Sequence, residues 1–223
     1  MADNAGSYFR SEWFDPRTDA TQPLTEKWQM GRQSVVYFNA GDYYMVLRHY
    51  CRGGLPAIFS RDKFFFCSWA ATRACRELQL LEKMMGMGLP VPEPVAARSE
   101  LCGLFYTADI IMREIRQAKT LAQVLMEKEL SEQAWKRVGQ VIKAFHLKGI
   151  QHVDMNANNI LIDASEDVYL IDFDRCRERQ YSVSWGRKGL QRLQRSLLKI
   201  KNANPHMAFT EQDYHVLLAA YAE

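Results

Sequence analysis

The feature that most constrains this chain is a polar string that stands beside two short apolar runs in its C-terminal half. The string covers residues 152–159 and leads directly into the apolar run Ile160–Ile162. After a short polar stretch, a second apolar run, Val168–Ile171, ends at Asp172. Two β-rich runs separated by a few polar residues predict a hairpin. The hairpin would carry Asp154 before its first strand and Asp172 after its second.

The polar residues around this hairpin are those that phosphoryl transfer to a hydroxyl requires. One carboxylate must take the proton of the hydroxyl, oxygen ligands must hold Mg²⁺ against the phosphates, and a cation should bind phosphate oxygens. We predict that Asp154 is the catalytic base. Asn159 and Asp172 are the predicted ligands of Mg²⁺, a hard cation that prefers such oxygens. His152 is expected to brace the loop rather than to carry a proton. The alternative for Asp154 is a loop aspartate that caps a turn.

The same stretch resembles a known pattern. Residues 145–155 look like the helix end and catalytic loop of protein kinases, and residues 172–174, Asp-Phe-Asp, stand where those enzymes have Asp-Phe-Gly. Val153 replaces the usual Arg, Asn156 replaces a typical Lys, and Asp174 replaces the Gly. Since that Arg commonly pairs a phosphorylated activation loop, we expect an enzyme that is not switched in this way.

Further strings narrow the resemblance to one family. They are the pattern H-x-D-M-N-x-x-N-I-L beginning at His152, and the strings Leu47–Leu55, Thr72–Leu78 and Leu89–Pro92. Together they resemble the lipopolysaccharide core kinases, most closely the 3-deoxy-D-manno-octulosonic acid (Kdo) kinases, over about residues 31–195.

The resemblance implies a bacterial enzyme that uses ATP and Mg²⁺ to phosphorylate Kdo, generally at the 4-OH. Its implied partners are a Kdo-bearing lipid A precursor and the anionic surface of the inner membrane, at whose cytoplasmic face the family works. We expect no nucleic acid partner and no obligate protein partner. Two other functions stay open: another small-molecule or protein kinase with the same core, and a nucleotide-binding pseudokinase that acts as a scaffold.

A cation for the phosphates is predicted on a strand of the N-terminal half. Met45–Arg48 falls where kinases have V-A-I-K, so Arg48 would replace the strand lysine and bind phosphate oxygens. Glu77 is its expected ion-pair partner, and Lys63 is the other candidate cation. The alternatives are a surface arginine on a strand and a solvated glutamate on a helix.

Three further predictions concern the nucleotide. Gly31–Ser34 precedes the first strand and is a candidate loop over the phosphates, with Gly31 and Ser34 as its contacts. It has one glycine where kinases usually have three, and an ordinary turn is the alternative. Asn156 is expected either to touch the transferred phosphate or to brace the loop. The adenine would bind backbone groups near Met112–Ile115.

A basic stretch follows the hairpin. Between Arg175 and Lys201 lie nine Lys or Arg residues and one acid, Glu178, with leucines at helical spacing among them. The residues predicted to bind the anionic acceptor or the membrane are Arg187, Lys188, Arg192 and Arg195. The leucines are expected to pack into the core. The alternative is that the cations are simply solvated.

The order of elements predicts an α+β fold with two lobes, and the resemblance implies that this fold is protein-kinase-like. Residues 1–115 would form a lobe with an antiparallel sheet and one helix similar to kinase helix αC. Residues 116–223 would form a helical lobe with the catalytic-loop hairpin. Predicted strands cover residues 35–38, 43–47, 103–107, 109–115, 160–162 and 168–171. Predicted helices cover residues 69–85, 120–130, 131–148, 186–201 and 210–222.

Finer predictions concern the ends and faces of these elements. Thr120 and Ser131 are predicted N-caps. The first helix is expected to bury Ala74, Leu78, Leu81 and Met85. Residues 1–28 are predicted to form a loosely structured N-terminal segment.

Composition excludes several other classes of protein. A net charge of +3 is too small to indicate nucleic acid binding by itself. Five cysteines without a CxxC pair indicate neither a disulfide framework nor a zinc site. The sequence has no apolar stretch of roughly 20 residues, the length that spans a bilayer, and its N-terminus lacks the pattern of a signal peptide. We therefore expect a soluble or membrane-surface protein.

Overall fold

The structure is a computed structural model that describes residues 10–15, 22–25, 34–51 and 62–223. The described residues form two compact units. The first unit contains the described residues up to Lys83 together with Pro92–Glu114, and the second contains Met84–Val91 and Ile115–Glu223. The predicted boundary between the lobes, after residue 115, is one residue from the boundary between Glu114 and Ile115 in the structure. The prediction placed residues 84–91 in the first lobe, whereas they belong to the second unit.

An antiparallel sheet makes up most of the first unit. Its strands are β1 Gln22–Thr25, β2 Ser34–Ala40, β3 Tyr43–His49, β4 Phe64–Phe65, β5 Pro94–Cys102 and β6 Phe105–Arg113. The order is β1-β2-β3-β6-β4. Strands β3 and β4 pair with successive parts of one edge of β6, and β5 pairs with its opposite edge. The predicted hairpin is present: Ala40 pairs with Tyr43 across a two-residue turn in which Gly41 has φ 62°. A glycine suits this turn because it adopts positive φ without steric cost.

The bounds predicted for the next two strands were wrong. The sequence suggested strands at residues 103–107 and 109–115, whereas β5 ends at Cys102 and β6 begins at Phe105. Gly103, with φ 63°, lies in the turn between them. Strand β5 is half-buried to exposed along its length, so it lacks the apolar run that marks a buried strand, and its pairing with β6 defines it.

Helix α1, Arg73–Gly86, begins four residues later than predicted. Residues 69–71 form a 3₁₀ turn instead, and the Thr72 hydroxyl donates to the carbonyl of Trp69 at 2.8 Å. The buried face of α1 also differs, since it consists of Ala74, Glu77, Leu81 and Met84. Met85 is exposed and Leu78 only half-buried, because the inward position between Ala74 and Leu81 is occupied by Glu77.

Aromatic residues near the N-terminus belong to the core of the first unit. Trp13 and Phe14 are buried against Phe38, Met45 and Ile111. Full burial of such a side chain stabilises a fold by about 1.5–3 kcal/mol. The prediction of a loosely structured segment over residues 1–28 was therefore wrong for these two residues, and also for Gln22–Thr25, which forms β1 and pairs with β2.

The second unit is mainly helical. Its helices are α2 Leu121–Glu127, α3 Glu132–Leu147, α4 Val183–Ala203 and α5 Glu211–Ala222. Its strands are β7 Lys119–Thr120, β8 Ile150–Gln151, β9 Ile160–Ile162, β10 Val168–Leu170 and β11 Arg177–Glu178. Both predicted N-caps are confirmed. The Thr120 hydroxyl accepts from the amide of Gln123, and the Ser131 hydroxyl accepts from the amide of Ala134.

Helix α3 is the centre of the second unit and leads into the polar loop. Gly139 lets α5 approach closely, since a Cβ there would lie 2.3 Å from the carbonyl oxygen of Leu217. At the other end of α3, His146 is buried with its Nδ1 2.7 Å from the hydroxyl of Tyr221. Burial lowers the pKa of His146 to about 4, and the nearby His152 adds to this effect. No helix in the described part of the chain is long and apolar enough to cross a membrane.

Candidate active site

The polar loop of residues 152–159 folds around one backbone carbonyl. The side-chain amides of Asn156 and Asn159 both donate to the carbonyl oxygen of Asp154, each at 2.9 Å. The backbone amide of Asn159 also donates to the backbone carbonyl of Asn156 at 3.1 Å. These bonds fix the backbone on both sides of Asp154, whose own side chain is exposed. A carboxylate held in this way is accessible to a substrate hydroxyl, as a general base must be.

Asn156 uses both ends of its side chain within the loop. Besides the bond from its nitrogen, its Oδ1 accepts from the amide of Asn158 at 2.8 Å. This arrangement is an Asx turn, which stabilises a tight backbone bend. Of the two roles predicted for Asn156, the observed contacts are those of a brace, and contact with a transferred phosphate stays a prediction.

The hairpin of β9 and β10 brings the two predicted Mg²⁺ ligands close together. Leu161 pairs with Tyr169, and beyond the strand ends the amide of Ile171 donates to the carbonyl of Asn159 at 3.0 Å. Asn159 and Asp172 are therefore near neighbours across the hairpin. Asp172 has φ 66°, in the left-handed region that costs energy for a residue with a side chain and that often marks functional sites.

These two side chains fit a magnesium ion. Because the nitrogen of the Asn159 amide is engaged by the carbonyl of Asp154, the amide oxygen is the atom that can ligate a cation. With a carboxylate from Asp172, this donor set matches Mg²⁺, which takes one or two carboxylates and completes its shell with phosphate oxygens and water. Within the described residues there is no cluster of three or more His, Cys, Asp or Glu side chains that would hold a metal by itself.

His152 braces the loop from inside the unit. It is buried, and its Nε2 lies 2.9 Å from the carbonyl oxygen of Ile171. Its ring and that of Phe173 pack edge to face, with their centres 5.2 Å apart. Phe173 in turn stacks on Phe145 of α3 at 5.8 Å. Burial is the main cause that lowers the pKa of His152, and the charge of Arg192 contributes to the lowering. The ring is therefore neutral at pH 7, and its Nε2–H donates to Ile171. These contacts agree with the bracing role expected of it.

The predicted ion pair between Arg48 and Glu77 is present in the first unit. Both side chains are buried, and the Arg48 guanidinium donates to Oε2 of Glu77. The Tyr50 hydroxyl donates to the same oxygen at 2.6 Å, and the Arg48 guanidinium lies 4.8 Å from the centre of the Tyr50 ring. Burial raises the pKa of Tyr50 well above its usual value, so the phenol keeps its proton. Lys63 is exposed, so the observed pairing favours Arg48 as the counterpart of the kinase lysine.

Tyr50 was not identified from the sequence as part of this group. The available signal was the spacing Arg48-x-Tyr50, because residues two apart on an extended segment point to the same face. Gly31 of the predicted phosphate loop lies outside the described residues, and Ser34 is the first residue of β2, where it pairs with His49 of β3. Near the predicted adenine contacts, the amide of Glu114 donates to the carbonyl of Tyr44 at 2.9 Å.

Helix α4 carries the basic residues predicted for the acceptor or membrane. Its Leu190, Leu193 and Leu197 are buried, which confirms the prediction for the leucines. Lys188, Arg192, Arg195 and Lys199 are exposed and spaced so that they form one row, which we call the cationic row. Arg187 is exposed as well, but it lies about 80–140° around the helix from these residues.

The cationic row lies next to the polar loop. Ser196, on the same helix, accepts a hydrogen bond from the amide of Ala157 at 3.2 Å. The charge of Arg192 also contributes to the lowered pKa of the His152 ring, after the larger effect of burial. Helix α4 therefore joins a row of cations to the loop that carries Asp154. Ser196 could not be identified from the sequence, because serine is common on solvated helix faces.

Known proteins resemble this chain over most of its length. The model of the lipopolysaccharide kinase (Kdo/WaaP) family matches residues 23–221. The chain is 36% identical over 221 residues to a 3-deoxy-D-manno-octulosonic acid kinase of Vibrio parahaemolyticus, covering 93% of this chain and 92% of the relative. A protein of the same name from Actinobacillus succinogenes is 36% identical, with 96% and 95% covered. One from Xylella fastidiosa is 38% identical, with 86% and 76% covered.

A solved structure shows a similar fold. The bifunctional kinase-methyltransferase WbdD superposes with a TM-score of 0.50 over 84% of this chain and 42% of that chain, at 17% sequence identity. At this identity the likeness concerns the fold alone, and it confirms the predicted α+β, protein-kinase-like architecture.

Proposed function

The chain belongs to the lipopolysaccharide kinase (Kdo/WaaP) family, and we propose that it transfers the γ-phosphoryl group of ATP to a hydroxyl of Kdo in lipopolysaccharide core biosynthesis. Relatives of nearly the same length carry the name of that kinase. The observation that carries the proposal is the polar loop, in which Asn156 and Asn159 fix the backbone of Asp154 and hydrogen bonding joins Asn159 to the segment of Asp172.

Asp154, Asn159, Asp172 and Arg48 have distinct roles in this reaction. The exposed carboxylate of Asp154 accepts the proton of the acceptor hydroxyl while the new oxygen–phosphorus bond forms and the bond to ADP breaks. Asn159 and Asp172 would hold Mg²⁺, which when bound neutralises charge on the phosphate oxygens. Arg48, oriented by Glu77 and Tyr50, binds phosphate oxygens of the nucleotide.

The acceptor we propose is a Kdo-bearing lipid A precursor, phosphorylated at the 4-OH at the cytoplasmic face of the inner membrane. Support for an anionic acceptor comes from the cationic row, which extends for about 16 Å along α4 beside the polar loop. Guanidinium groups bind carboxylates and phosphates bidentately, and Kdo offers a carboxylate while a lipid A precursor offers phosphates.

The test is to incubate the protein with ATP, Mg²⁺ and a panel of acceptors, and to locate the phosphate in the product by ³¹P–¹H NMR. The panel contains Kdo-bearing lipid A precursor, the same precursor without Kdo, and neutral sugars. We expect one phosphate on the Kdo 4-OH, and no product without Kdo. A product at another Kdo hydroxyl would contradict the 4-OH alone, and turnover of a neutral sugar would contradict Kdo as acceptor. No turnover with any acceptor would contradict the kinase and favour a nucleotide-binding scaffold.

A further inference from the structure

One end of the sheet in the first unit carries an unusual concentration of exposed apolar side chains. Of the ten large hydrophobic residues that are exposed in the described part of the chain, five lie there. They are Phe65 (61% exposed), Trp69 (54%), Leu101 (48%), Leu104 (71%) and Phe105 (41%). We call these five residues, together with the half-buried Phe66, the aromatic tip. A contiguous apolar patch of this kind marks an interaction site on a soluble domain.

Strand pairing brings the members of the aromatic tip together, with β4 and β5 both paired to β6 and Leu101 opposite Tyr106. Phe65 pairs with Phe105 across β4 and β6, and their rings meet edge to face at 6.2 Å. Phe66 meets Trp69 edge to face at 4.9 Å, and its amide donates to the carbonyl of Leu104 at 3.0 Å. The exposed rings are thus held by backbone pairing.

Buried neighbours anchor the aromatic tip to the unit. Phe64 and Tyr106, which are also paired across β4 and β6, are both buried. The Tyr106 hydroxyl accepts from the amide of Arg73 at 3.0 Å. Since neighbouring residues of a strand point to opposite faces, Phe65 points away from the face of Phe64 and its partner Tyr106. The Phe66 ring lies 6.2 Å from the Tyr106 ring, on the face opposite to Phe65. Apolar side chains therefore cover both faces of this end, as in a wedge.

Basic residues lie beside this wedge. The Arg73 guanidinium lies 4.5 Å from the centre of the Phe64 ring, Arg76 follows one turn later on α1, and Lys63 directly precedes β4. Two acids nearby have cationic or basic partners: Glu100 lies 3.5 Å from Arg98, and Asp62 lies 3.5 Å from His49. Among these described residues the cations outnumber the acids, and this excess of positive charge is complementary to an anionic surface.

We propose that the aromatic tip inserts into the headgroup region of a bilayer that contains anionic lipids, with Lys63, Arg73 and Arg76 against the headgroups. Tryptophan and other aromatics favour the membrane–water interface, and cations beside them gain from anionic lipid. A fluid bilayer can cover both faces of a wedge at once, whereas a flat protein surface covers one. The choice of a bilayer also rests on the proposed function, in which the acceptor is a membrane lipid.

The experiment compares the wild-type protein with a triple variant, Phe65→Ser, Trp69→Ser and Leu104→Ser, in sedimentation with vesicles of phosphatidylethanolamine and phosphatidylglycerol. We expect the partition coefficient to fall on the order of a hundredfold, because three apolar side chains lose their burial in the bilayer. A matched control, Leu147→Ser with Val183→Ser, removes equally exposed apolar side chains (62% and 64%) from the second unit and should bind like the wild type. Vesicles of phosphatidylcholine alone should bind the wild type more weakly, since the cations lose their anionic partners.

A second readout separates this inference from the proposed function. ATP-dependent phosphorylation of a detergent-dispersed acceptor should be the same in the wild type and the triple variant, which also shows that the variant is folded. Wild-type protein that does not bind anionic vesicles, or a triple variant that binds as well as the wild type, would overturn the inference whatever the activity. So would a homodimer in sedimentation velocity that the triple variant abolishes, because the tip would then cover a second copy of the chain.

Discussion

At the scale of single residues, the buried pair of Arg48 and Glu77 shows what spacing can and cannot predict. The sequence pairs these two residues because one stands where kinases have a strand lysine and the other lies on the following helix. It does not reveal that Glu77 takes a core position, or that Tyr50 donates a second hydrogen bond to it at 2.6 Å. Such contacts join residues far apart in the chain, and no local pattern specifies them.

The first prediction concerns the stability of this pair. Glu77→Ala should lower the free energy of unfolding by about 3–5 kcal/mol, because it leaves the buried Arg48 guanidinium without its carboxylate. Glu82→Ala, an exposed position on the same helix, should change the stability by less than about 0.5 kcal/mol. Urea denaturation measures both values.

A double variant tests the role of the pair apart from its stability. Arg48→Met with Glu77→Leu replaces both charges by apolar groups, so much of the stability lost in Glu77→Ala should return. The affinity for ATP, measured by calorimetry, should nevertheless be lower than that of the wild type, because the cation at position 48 is gone. ATP affinity equal to that of the wild type would contradict the phosphate-binding role of Arg48 and turn attention to Lys63.

A second prediction at this scale concerns pH. His146 has a pKa of about 4 in the folded protein, below the ordinary value of about 6.5 for an unfolded chain. Between these values the unfolded state binds more protons, so this contribution to stability is present above pH 6.5 and is lost as the pH falls towards 4. The groups facing the ring are the hydroxyl of Tyr221 and the rings of Tyr181 and Trp185, with His152 further inside.

Replacing His146 by Asn removes the titrating group. Over pH 6.5 to 4 the stability of the variant should depend less steeply on pH, by up to about 1.4 kcal/mol per pH unit, the effect of one proton. Urea denaturation curves collected across this range give the two slopes. Parallel curves for wild type and variant would show that His146 titrates normally in the folded state.

At the scale of elements, prediction worked where local chemistry marks an end and failed where pairing decides. Thr120 and Ser131 were identified as N-caps because their side chains satisfy backbone amides of the next helix. Strand β5 was misplaced because it is largely half-buried and gains its register only from β6. Helix α4 was predicted from its leucines, but the hydrogen bond that its Ser196 accepts from the amide of Ala157 in the polar loop was not.

The prediction at this scale concerns the cationic row of α4. Arg192→Glu with Arg195→Glu should raise the KM for the Kdo-bearing acceptor by at least about tenfold, since two charge-assisted contacts become repulsive. The KM for ATP should change by less than about twofold. Lys128→Glu, an exposed charge reversal after α2, serves as the control and should leave both constants unchanged. Equal losses for both substrates would contradict an acceptor-binding role.

At the scale of the whole molecule, the order of elements was enough to predict an α+β fold with two lobes. The protein-kinase-like class was predicted from the resemblance of residues 145–155 and 172–174, and the comparisons confirm it. The assignment of each segment to one of the two units was harder to predict. Residues 84–91 belong to the second unit, where the carbonyl of Pro90 accepts from the amide of Leu170 at 3.1 Å. Similarly, Trp13 and Phe14 join the core through contacts distant in sequence.

The central claim is that the chain is a working Kdo kinase whose base is Asp154, and one measurement tests it most directly. Transfer of ³²P from γ-labelled ATP to the Kdo-bearing lipid A precursor is compared between the wild type, Asp154→Asn and Asp167→Asn, an exposed carboxylate on the hairpin turn. We predict that Asp154→Asn lowers kcat by roughly 10²–10⁴-fold with little change in ATP affinity, because it removes general-base catalysis. Asp167→Asn should react like the wild type. An Asp154→Asn variant as active as the wild type would contradict the account.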